Sequence, residues 1–466
     1  DEVNLSAYTR AEDFLQEMEQ GYEFDILVSD IDMPDMGGLE LGRRIHEEGG
    51  GPYLVFLTAY LEYAAESYII EAYQYILKDD MEKRLPSILR QLIDRVKKEK
   101  KQFRMIGTPT SKVRVYYKDI IADNIKKMIG IAGGTERLWP HVKTHKMIEV
   151  VKMMMAEGID KFKCATVAEA EMCGEAKAAK VTLAYPLVGP NIARFLRLME
   201  SYPETEFFAV SDCTKQVELI GKAAAEKGVS VNLLMDVDTG QHRTGVALGK
   251  VEESYRVWAG IPGIVMRGLH CYDGHRHESD VEVRNREVTA VDEQIAKIKE
   301  RLQEAGYDCG ILIMGGTPSF PCHQKLNQEY LSPGTCIIQD AGYEAAYRDL
   351  DFVPGAAVLT RVVSVPGNNT FTLDMGTKAV ATDPNPERAV LVGMEYAKTV
   401  LQNEEHWVVE VPAEHASEIP EVGTVMFAIP MHVCPTSALY PEVPVVSGGK
   451  LTDWWQVTAR NRKITI

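Results

Sequence analysis

Between Arg137 and Ile338 the sequence alternates strand-like and helix-like runs eight times over, and few folds satisfy that constraint. The strand-like runs are Arg137 to Lys143, Phe162 to Val167, Val181 to Pro186, Phe207 to Asp212, Val231 to Asp238, Val265 to Tyr272, Ile311 to Met314 and Tyr330 to Ile338. Helical intervals rich in Ala, Glu and Leu separate them, among them Val167 to Ala179, Pro190 to Ser201, Lys215 to Gly228 and Val288 to Gly306. Eight such units close into a (β/α)8 barrel, so the expected fold class is α/β. After about Val353 the pattern turns to short strands broken by Pro and Gly, a β-rich C-terminal domain into which the strand near Val113 is expected to pair. Residues 1–104 form a unit of their own, ended by the charged run Arg95-Val96-Lys97-Lys98-Glu99-Lys100-Lys101, a solvated helix end leading into a linker. The expected domains are 1–104, 105–352 and 353–466.

Composition narrows the function classes. The 466 residues carry a net charge of -17, with 45% hydrophobic and 26% charged residues and a mean hydropathy of -0.17. No apolar run reaches the roughly 18 residues of a membrane span, and no signal-peptide pattern opens the chain. The acidic balance leaves no surplus of Lys and Arg to neutralise phosphates, which argues against nucleic acid or membrane partners and for small molecules. Eight cysteines are scattered without paired CxxC spacing, as expected of reduced thiols in the cytoplasm. The chain opens on Asp1 and not Met, so a fragment or a processed terminus is expected.

In the first unit, Phe24-Asp25-Ile26-Leu27-Val28-Ser29 reads as a strand delivering Asp30 at its end, followed by Ile31-Asp32-Met33-Pro34-Asp35-Met36-Gly37-Gly38. Thr58 follows the run Tyr53 to Leu57, and Lys78 follows Tyr75-Ile76-Leu77. These residues resemble a flavodoxin-like response-regulator receiver of the LytTR-associated type. The resemblance implies Asp30 as phosphoacceptor, Thr58 as switch hydroxyl and Lys78 as the phosphate-contacting lysine. It begins only at the family's second strand: the opening strand and the acidic pair that holds Mg²⁺ are missing, and Asp1 and Glu2 lie at the wrong end of the sheet to replace them. A truncated receiver unable to take phosphate is therefore expected, with a gap in its 2-1-3-4-5 sheet. Ser111 to Ile121 does not continue as the DNA-binding domain that usually follows such receivers, so a fusion seam is read near residue 105.

Polar clusters fall at the C-terminal ends of the barrel strands, where such barrels keep their chemistry. Pro140-His141-Val142-Lys143-Thr144-His145-Lys146 puts Lys143 at a strand end between two histidines. Asp236 to Gly245 forms a glycine-punctuated loop carrying Arg243, and His270-Cys271-Tyr272-Asp273-Gly274-His275 ends the next strand. Gly315-Gly316-Thr317-Pro318-Ser319 offers backbone N–H groups and hydroxyls fit to cradle a phosphate, with Ser332-Pro333-Gly334-Thr335 and Asp340-Ala341-Gly342-Tyr343 after it. In the β domain, Met431-His432-Val433-Cys434-Pro435-Thr436 places an imidazole and a thiol two residues apart. On a strand they would face the same way and could share one Zn²⁺.

Together with Lys163-Cys164-Ala165-Thr166 and Glu169-Ala170-Glu171, these motifs resemble, in order and spacing from about residue 110 to 463, the D-threonine aldolase and D-serine dehydratase family. These are fold-type III pyridoxal-phosphate enzymes with an alanine racemase-like barrel. The resemblance implies a Schiff base on Lys143 and a phosphate held by Gly315, Gly316 and Thr317 with Tyr343 assisting. It further implies Arg243 at the phenolic oxygen, Tyr272 near the pyridine ring, and His432 and Cys434 on a divalent metal, expected to be Zn²⁺. The implied protein is a lyase for D-3-hydroxy amino acids, working as a homodimer. Elimination of water to a keto acid and ammonia would use Lys143 on the α-proton. Retro-aldol cleavage to glycine and an aldehyde would need a base for the hydroxyl proton, for which His275 is the candidate. His-x-Cys, where aldolases of the family carry His-x-Asp, favours the dehydratase. The alternative from another class is a response regulator controlled by phosphorylation at Asp30.

Overall fold

The computed structural model describes residues 5–19, 24–33, 36–48, 52–60, 72–100, 113–324, 329–381, 383, 387–461 and 464–466. Asp1, Glu2, Pro34, Asp35, Lys101, Ser111, Lys112 and the seam near residue 105 lie outside them. The chain divides into two compact units, residues 1–103 and 104–466. Among the described residues no helix is long and apolar enough to cross a membrane.

The first unit holds a parallel sheet of three strands, β1 (Ile26–Ser29), β2 (Tyr53–Thr58) and β3 (Gln74–Leu77), in that order. Helices Ala11–Glu19 and Gly38–Glu48 join Phe14, Leu41 and Ile45 into one small core, and helix Met81–Lys100 packs Ile88 and Leu92 on Val55 and Ile76. Residues 5–10, ahead of the first helix, form no strand. The other edge of β1 is thus unpaired among the described residues, and its Val28 is 38% exposed. Among the described residues the sheet ends at the strand that delivers Asp30, and no strand lies beyond it to leave the gap that the sequence led one to expect.

The second unit begins with β4 (Val113–Tyr117) and helix Lys118–Ala132, which Gly133 ends in the left-handed conformation at φ 77°. The barrel follows: β5 (Lys161–Cys164), β6 (Lys180–Leu183), β7 (Glu206–Ser211), β8 (Val231–Asp238), the short β9 (Val246–Ala247), β10 (Ile264–Cys271), β11 (Ile311–Met314) and β12 (Tyr330–Leu331). All pair in parallel in the order β5-β6-β7-β8-β10-β11-β12, with β9 on β8. The ring closes through the segment before Lys143: Leu138 bridges to Leu331 and His141 to Lys163. This segment is less regular than the strand expected there. Pro140 has no N–H to give, and the chain passes straight into a 3-10 turn, Val142–Thr144, capped by Lys143 N–H on His141 Nδ1 at 3.2 Å. Likewise the run Tyr330 to Ile338 yields only a two-residue strand, because Pro333-Gly334 breaks it before the turn Thr335–Ile337.

Period-two alternation sorts the barrel side chains. Phe162, Cys164, Leu233, Met235, Leu269, Cys271, Leu312 and Met314 pack outward in the large core cluster. Trp139, Phe208, Val210, Leu234, Ile311 and Ile313 fill the interior. By the same alternation, and close to Lys143, Lys163, Asp236 and His270 point inward, and all three are buried.

The C-terminal sheet contains β13 (Ala356–Gly367), β14 (Thr370–Leu373), β15 (Ala389–Leu391), β16 (Lys398–Gln402), β17 (Trp407–Glu410), β18 (Val425–Pro430), β19 (Glu442–Ser447) and β20 (Lys450–Gln456). β4 lies between β13 and β19, antiparallel to the first and parallel to the second, which is the pairing expected of the Val113 strand. Asn124 ties the barrel's first helix to the chain entering this sheet, giving Nδ2–H to the carbonyls of Ile337 and Val353 at 3.3 and 2.7 Å.

Candidate functional site

A cavity of about 1240 Å³ opens at the C-terminal ends of the barrel strands. Lys143, Tyr272, Gly316, Thr317, Tyr343, His432 and Cys434 all line it. Lys143 enters from the 3-10 turn, Tyr272 follows β10, Gly316 and Thr317 follow β11, and Tyr343 sits in helix Ala341–Ala346. Asp340 caps that helix, accepting Tyr343 N–H at 2.9 Å, and its other oxygen accepts Val433 N–H at 3.0 Å. One buried carboxylate therefore docks the His432–Cys434 segment onto the barrel, and burial raises its pKa to about 6.

Cations gather at one ring. The ammonium of Lys143 lies 5.7 Å, that of Lys163 5.3 Å and the guanidinium of Arg243 5.0 Å from the centre of Tyr272. None of the three forms an ion pair within 4 Å among the described residues. Burial, then the neighbouring Lys143, lowers the pKa of Lys163 to about 7. His141 is pushed well below its usual value by burial and then by Lys143 and Lys163. His270 Nδ1 lies 2.7 Å from Asp236 Oδ1, and Thr244 donates to the other oxygen at 2.7 Å. Burial raises the Asp236 carboxyl, but His270 and Thr244 outweigh it and hold the group low. Burial and Lys163 keep the imidazole neutral against the pull of Asp236. Its Nδ1–H then serves the carboxylate, and Nε2 is left a buried acceptor with no partner among the described residues.

The glycine loop is tightly held. Gly315 adopts φ 78°, and a Cβ there would lie 2.8 Å from His323. Thr317 Oγ accepts the N–H groups of Gly334 and Cys336 at 3.1 and 3.3 Å, which joins this loop to the turn after β12. Gly316 N–H is committed to Ser319 Oγ at 3.0 Å.

His432 and Cys434 do not lie on a strand. Pro435 has no N–H to give a ladder, so past Pro430 the chain turns into a short helix, Val433–Ser437, with His432 at its N-cap. The imidazole and thiol still meet. Burial lowers the His432 pKa, but Cys434 and the carbonyl of Asp383 outweigh it and raise it to about 9. Cys434 is raised by burial and lowered more by His432, Lys143 and Thr144, whose hydroxyl is 3.2 Å from the sulfur. His432 Nδ1 contacts the Asp383 carbonyl at 3.1 Å, which leaves the other ring nitrogen for a metal. Among the described residues, no group of three or more His, Cys, Asp and Glu side chains is placed to hold a metal ion.

Three expected residues lie off the cavity wall. Arg243 reaches it only through the Tyr272 ring, and Gly315 supports the loop from beneath. His275 packs under Gly240 with both ring nitrogens buried and without a partner among the described residues, whereas His277, two residues on, lines the cavity. Asp30 pairs with Lys78 in the first unit. Sequence reasoning did not single out Lys163, Asp236 or His270 as functional residues. The available signal was an ionisable residue at an inward position of a barrel strand.

Residues 118–341 match the N-terminal domain of alanine racemase, 355–446 a putative serine dehydratase domain and 1–90 a response regulator receiver domain. The chain is 29% identical to D-threonine aldolase of Arthrobacter sp over 333 residues, 69% of this chain and 85% of that one. It is 22% identical to D-threo-3-hydroxyaspartate dehydratase of Delftia sp. strain HT23 over 349 residues, 69% of this chain and 89% of that one. The structure of D-threonine aldolase from Filomicrobium marinum superposes with a TM-score of 0.70 at 23% identity, covering 76% of this chain and 97% of that one. Both domain matches sit in tandem around one cavity: the chain carries an alanine racemase-type N-terminal domain and a putative serine dehydratase domain, preceded by a response-regulator receiver segment, and it is similar to D-threonine aldolase and D-threo-3-hydroxyaspartate dehydratase.

Proposed function

We propose that this chain is a pyridoxal-phosphate-dependent lyase for D-3-hydroxy amino acids, and that it eliminates water from D-serine and D-threonine. The observation that carries this reading is the set of cations around Tyr272, with no ion pair among the described residues, beside a cavity that Lys143, Tyr272 and the His432–Cys434 pair line. Lys143, Lys163 and Arg243 are a charge excess that suits a planar, anionic ligand, and the tight Gly315–Thr317 loop suits its phosphate. Pyridoxal phosphate would supply an electron sink for a carbanion at Cα, and Zn²⁺ a Lewis acid for the departing hydroxide.

The chain's own groups divide the remaining work. Lys143 would supply the amine that holds the cofactor and the base that moves the α-proton. Tyr272 supports the ring, Arg243 answers the phenolic oxygen, and Thr317 and Tyr343 answer the phosphate in the loop that Gly315 and Gly316 shape. His432 and Cys434 are the metal-holding pair, and a thiolate ligand suits Zn²⁺ better than Mg²⁺ or Mn²⁺. Elimination asks for no further base, while retro-aldol cleavage needs one at the hydroxyl. The position of His275 away from the cavity wall favours elimination. The likeness to D-threonine aldolase favours the second reading, retro-aldol cleavage with His277 at the wall as its base. We take the working form to be a cytoplasmic homodimer, in keeping with eight free cysteines, and the Asp30 segment to be inert as a phosphoacceptor.

The test is to supply D-serine, D-threonine or D-threo-3-hydroxyaspartate with and without Zn²⁺ and to identify products. Keto acid and ammonia in equal amounts are expected. Glycine with an aldehyde would replace the dehydratase by the aldolase, and no turnover of any substrate would overturn the lyase.

A further inference from the structure

The buried groups that the proposed reaction leaves unused form a chain under the loop after β11. Gly316 N–H donates to Ser319 Oγ, whose hydroxyl donates to Asp273 Oδ1 at 2.8 Å. Asp273 Oδ2 lies 2.9 Å from His323 Nε2, and His323 Nδ1 lies 2.9 and 3.0 Å from the two oxygens of Asp292. The four side chains are between 1% and 6% exposed. Asp273 follows β10, Ser319 and His323 follow β11, and Asp292 comes from the inner face of helix Val281–Glu304. Gly316, Ser319 and Asp273 line the cavity, whereas His323 and Asp292 lie behind it.

An imidazole with a carboxylate on each nitrogen donates from both and is an imidazolium. Burial alone would lower its pKa, but Asp273 and Asp292 raise it to about 10. Burial raises the Asp273 carboxyl, and His323 and Ser319 bring it below its usual value. Such a buried charged unit is a poor source of stability compared with an apolar core, so its use lies in fixing geometry. What it fixes is the glycine loop: His323 fills the space that a side chain on Gly315 would need, and Ser319 sets the direction of Gly316 N–H.

We propose that Asp292, His323, Asp273 and Ser319 are positioning residues that hold the Gly315–Thr317 loop in the shape that receives the cofactor's phosphate. The inference rests on the reading that this loop takes the phosphate. Ser319→Ala in the full chain cuts the link to Gly316 while leaving the charged unit whole. Its affinity for pyridoxal phosphate should fall about tenfold. Affinity for pyridoxal, which lacks the phosphate, should not change, and the ³¹P resonance of the bound cofactor should move. Asp292→Asn should make cofactor retention fail at a lower pH than in the wild type. The imidazolium, whose pKa is raised on folding, is present at neutral pH and lost as pH rises through about 10. Unchanged pyridoxal phosphate affinity and ³¹P shift in Ser319→Ala would overturn the positioning role and leave the lyase standing. Equal losses for pyridoxal and its phosphate would also overturn it, as a general structural defect. A wild-type chain that takes no pyridoxal phosphate would remove both.

Discussion

In the N-terminal unit Lys78 closes an ion pair with Asp30, their side chains 47% and 29% exposed, and nothing in that pair calls for a ligand. In the barrel, Lys143, Lys163 and Arg243 crowd one aromatic ring with no ion pair within 4 Å among the described residues. Both regions carry family motifs of similar clarity in the sequence. The difference is that charge is paired locally in the first and gathered without an ion pair in the second, where Lys163 is buried, and such a cluster at a cavity suits an anionic ligand.

The comparison can be broken most directly by substitution at its two centres. Lys143→Ala should lower turnover of D-serine by more than about 10³-fold, while Asp30→Ala should leave it unchanged. Loss of activity in Asp30→Ala, or phosphate uptake on Asp30 from acetyl phosphate, would show that the first unit works after all. The next effect concerns packing. Leu234→Ala in the barrel interior should cost about 3 kcal/mol in denaturant unfolding, and Val28→Ala on the exposed edge of β1 less than about 0.5 kcal/mol. His432→Ala, or removal of metal with a chelator, should lower turnover by about 10²-fold, with Zn²⁺ restoring only the chelated wild type.

The smallest effect sharpens the contrast between the two kinds of lysine. The folded-state pKa of Lys163, about 7, lies below its unfolded value, so the unfolded chain binds more protons between these two values and stability rises with pH across that window. Lys163→Met should therefore stabilise the protein by about 1–2 kcal/mol at pH 6, a gain that shrinks as pH rises from 7 toward 10. A gain that does not change with pH would mean that Lys163 is already paired.

Legibility of the sequence followed the range of the interactions. Barrel strands such as Val231–Asp238 and Ile311–Met314 could be read because period-two burial is local. The place of Lys143 at the cavity was legible through its motif, although Pro140 turns its strand into a bridge and a 3-10 turn. The closeness of His432 and Cys434 was legible but its geometry was not, since Pro435 makes a helix turn where a strand was expected. His275 and His277 could not be told apart, because which of two neighbouring loop histidines meets a cavity depends on packing against Gly240. The Asp292–His323–Asp273 chain had no local signature, as its partners are 31 and 50 residues apart. Nor did the sequence show that Lys163 would be unpaired beside Lys143, for that requires the barrel to be closed.

The measurement that tests the central claim most directly is borohydride reduction of the pyridoxal-phosphate-treated protein, followed by peptide mapping. The account predicts a single pyridoxyl adduct on Lys143. An adduct on Lys163 or Lys146 instead, or no adduct at all, would contradict it.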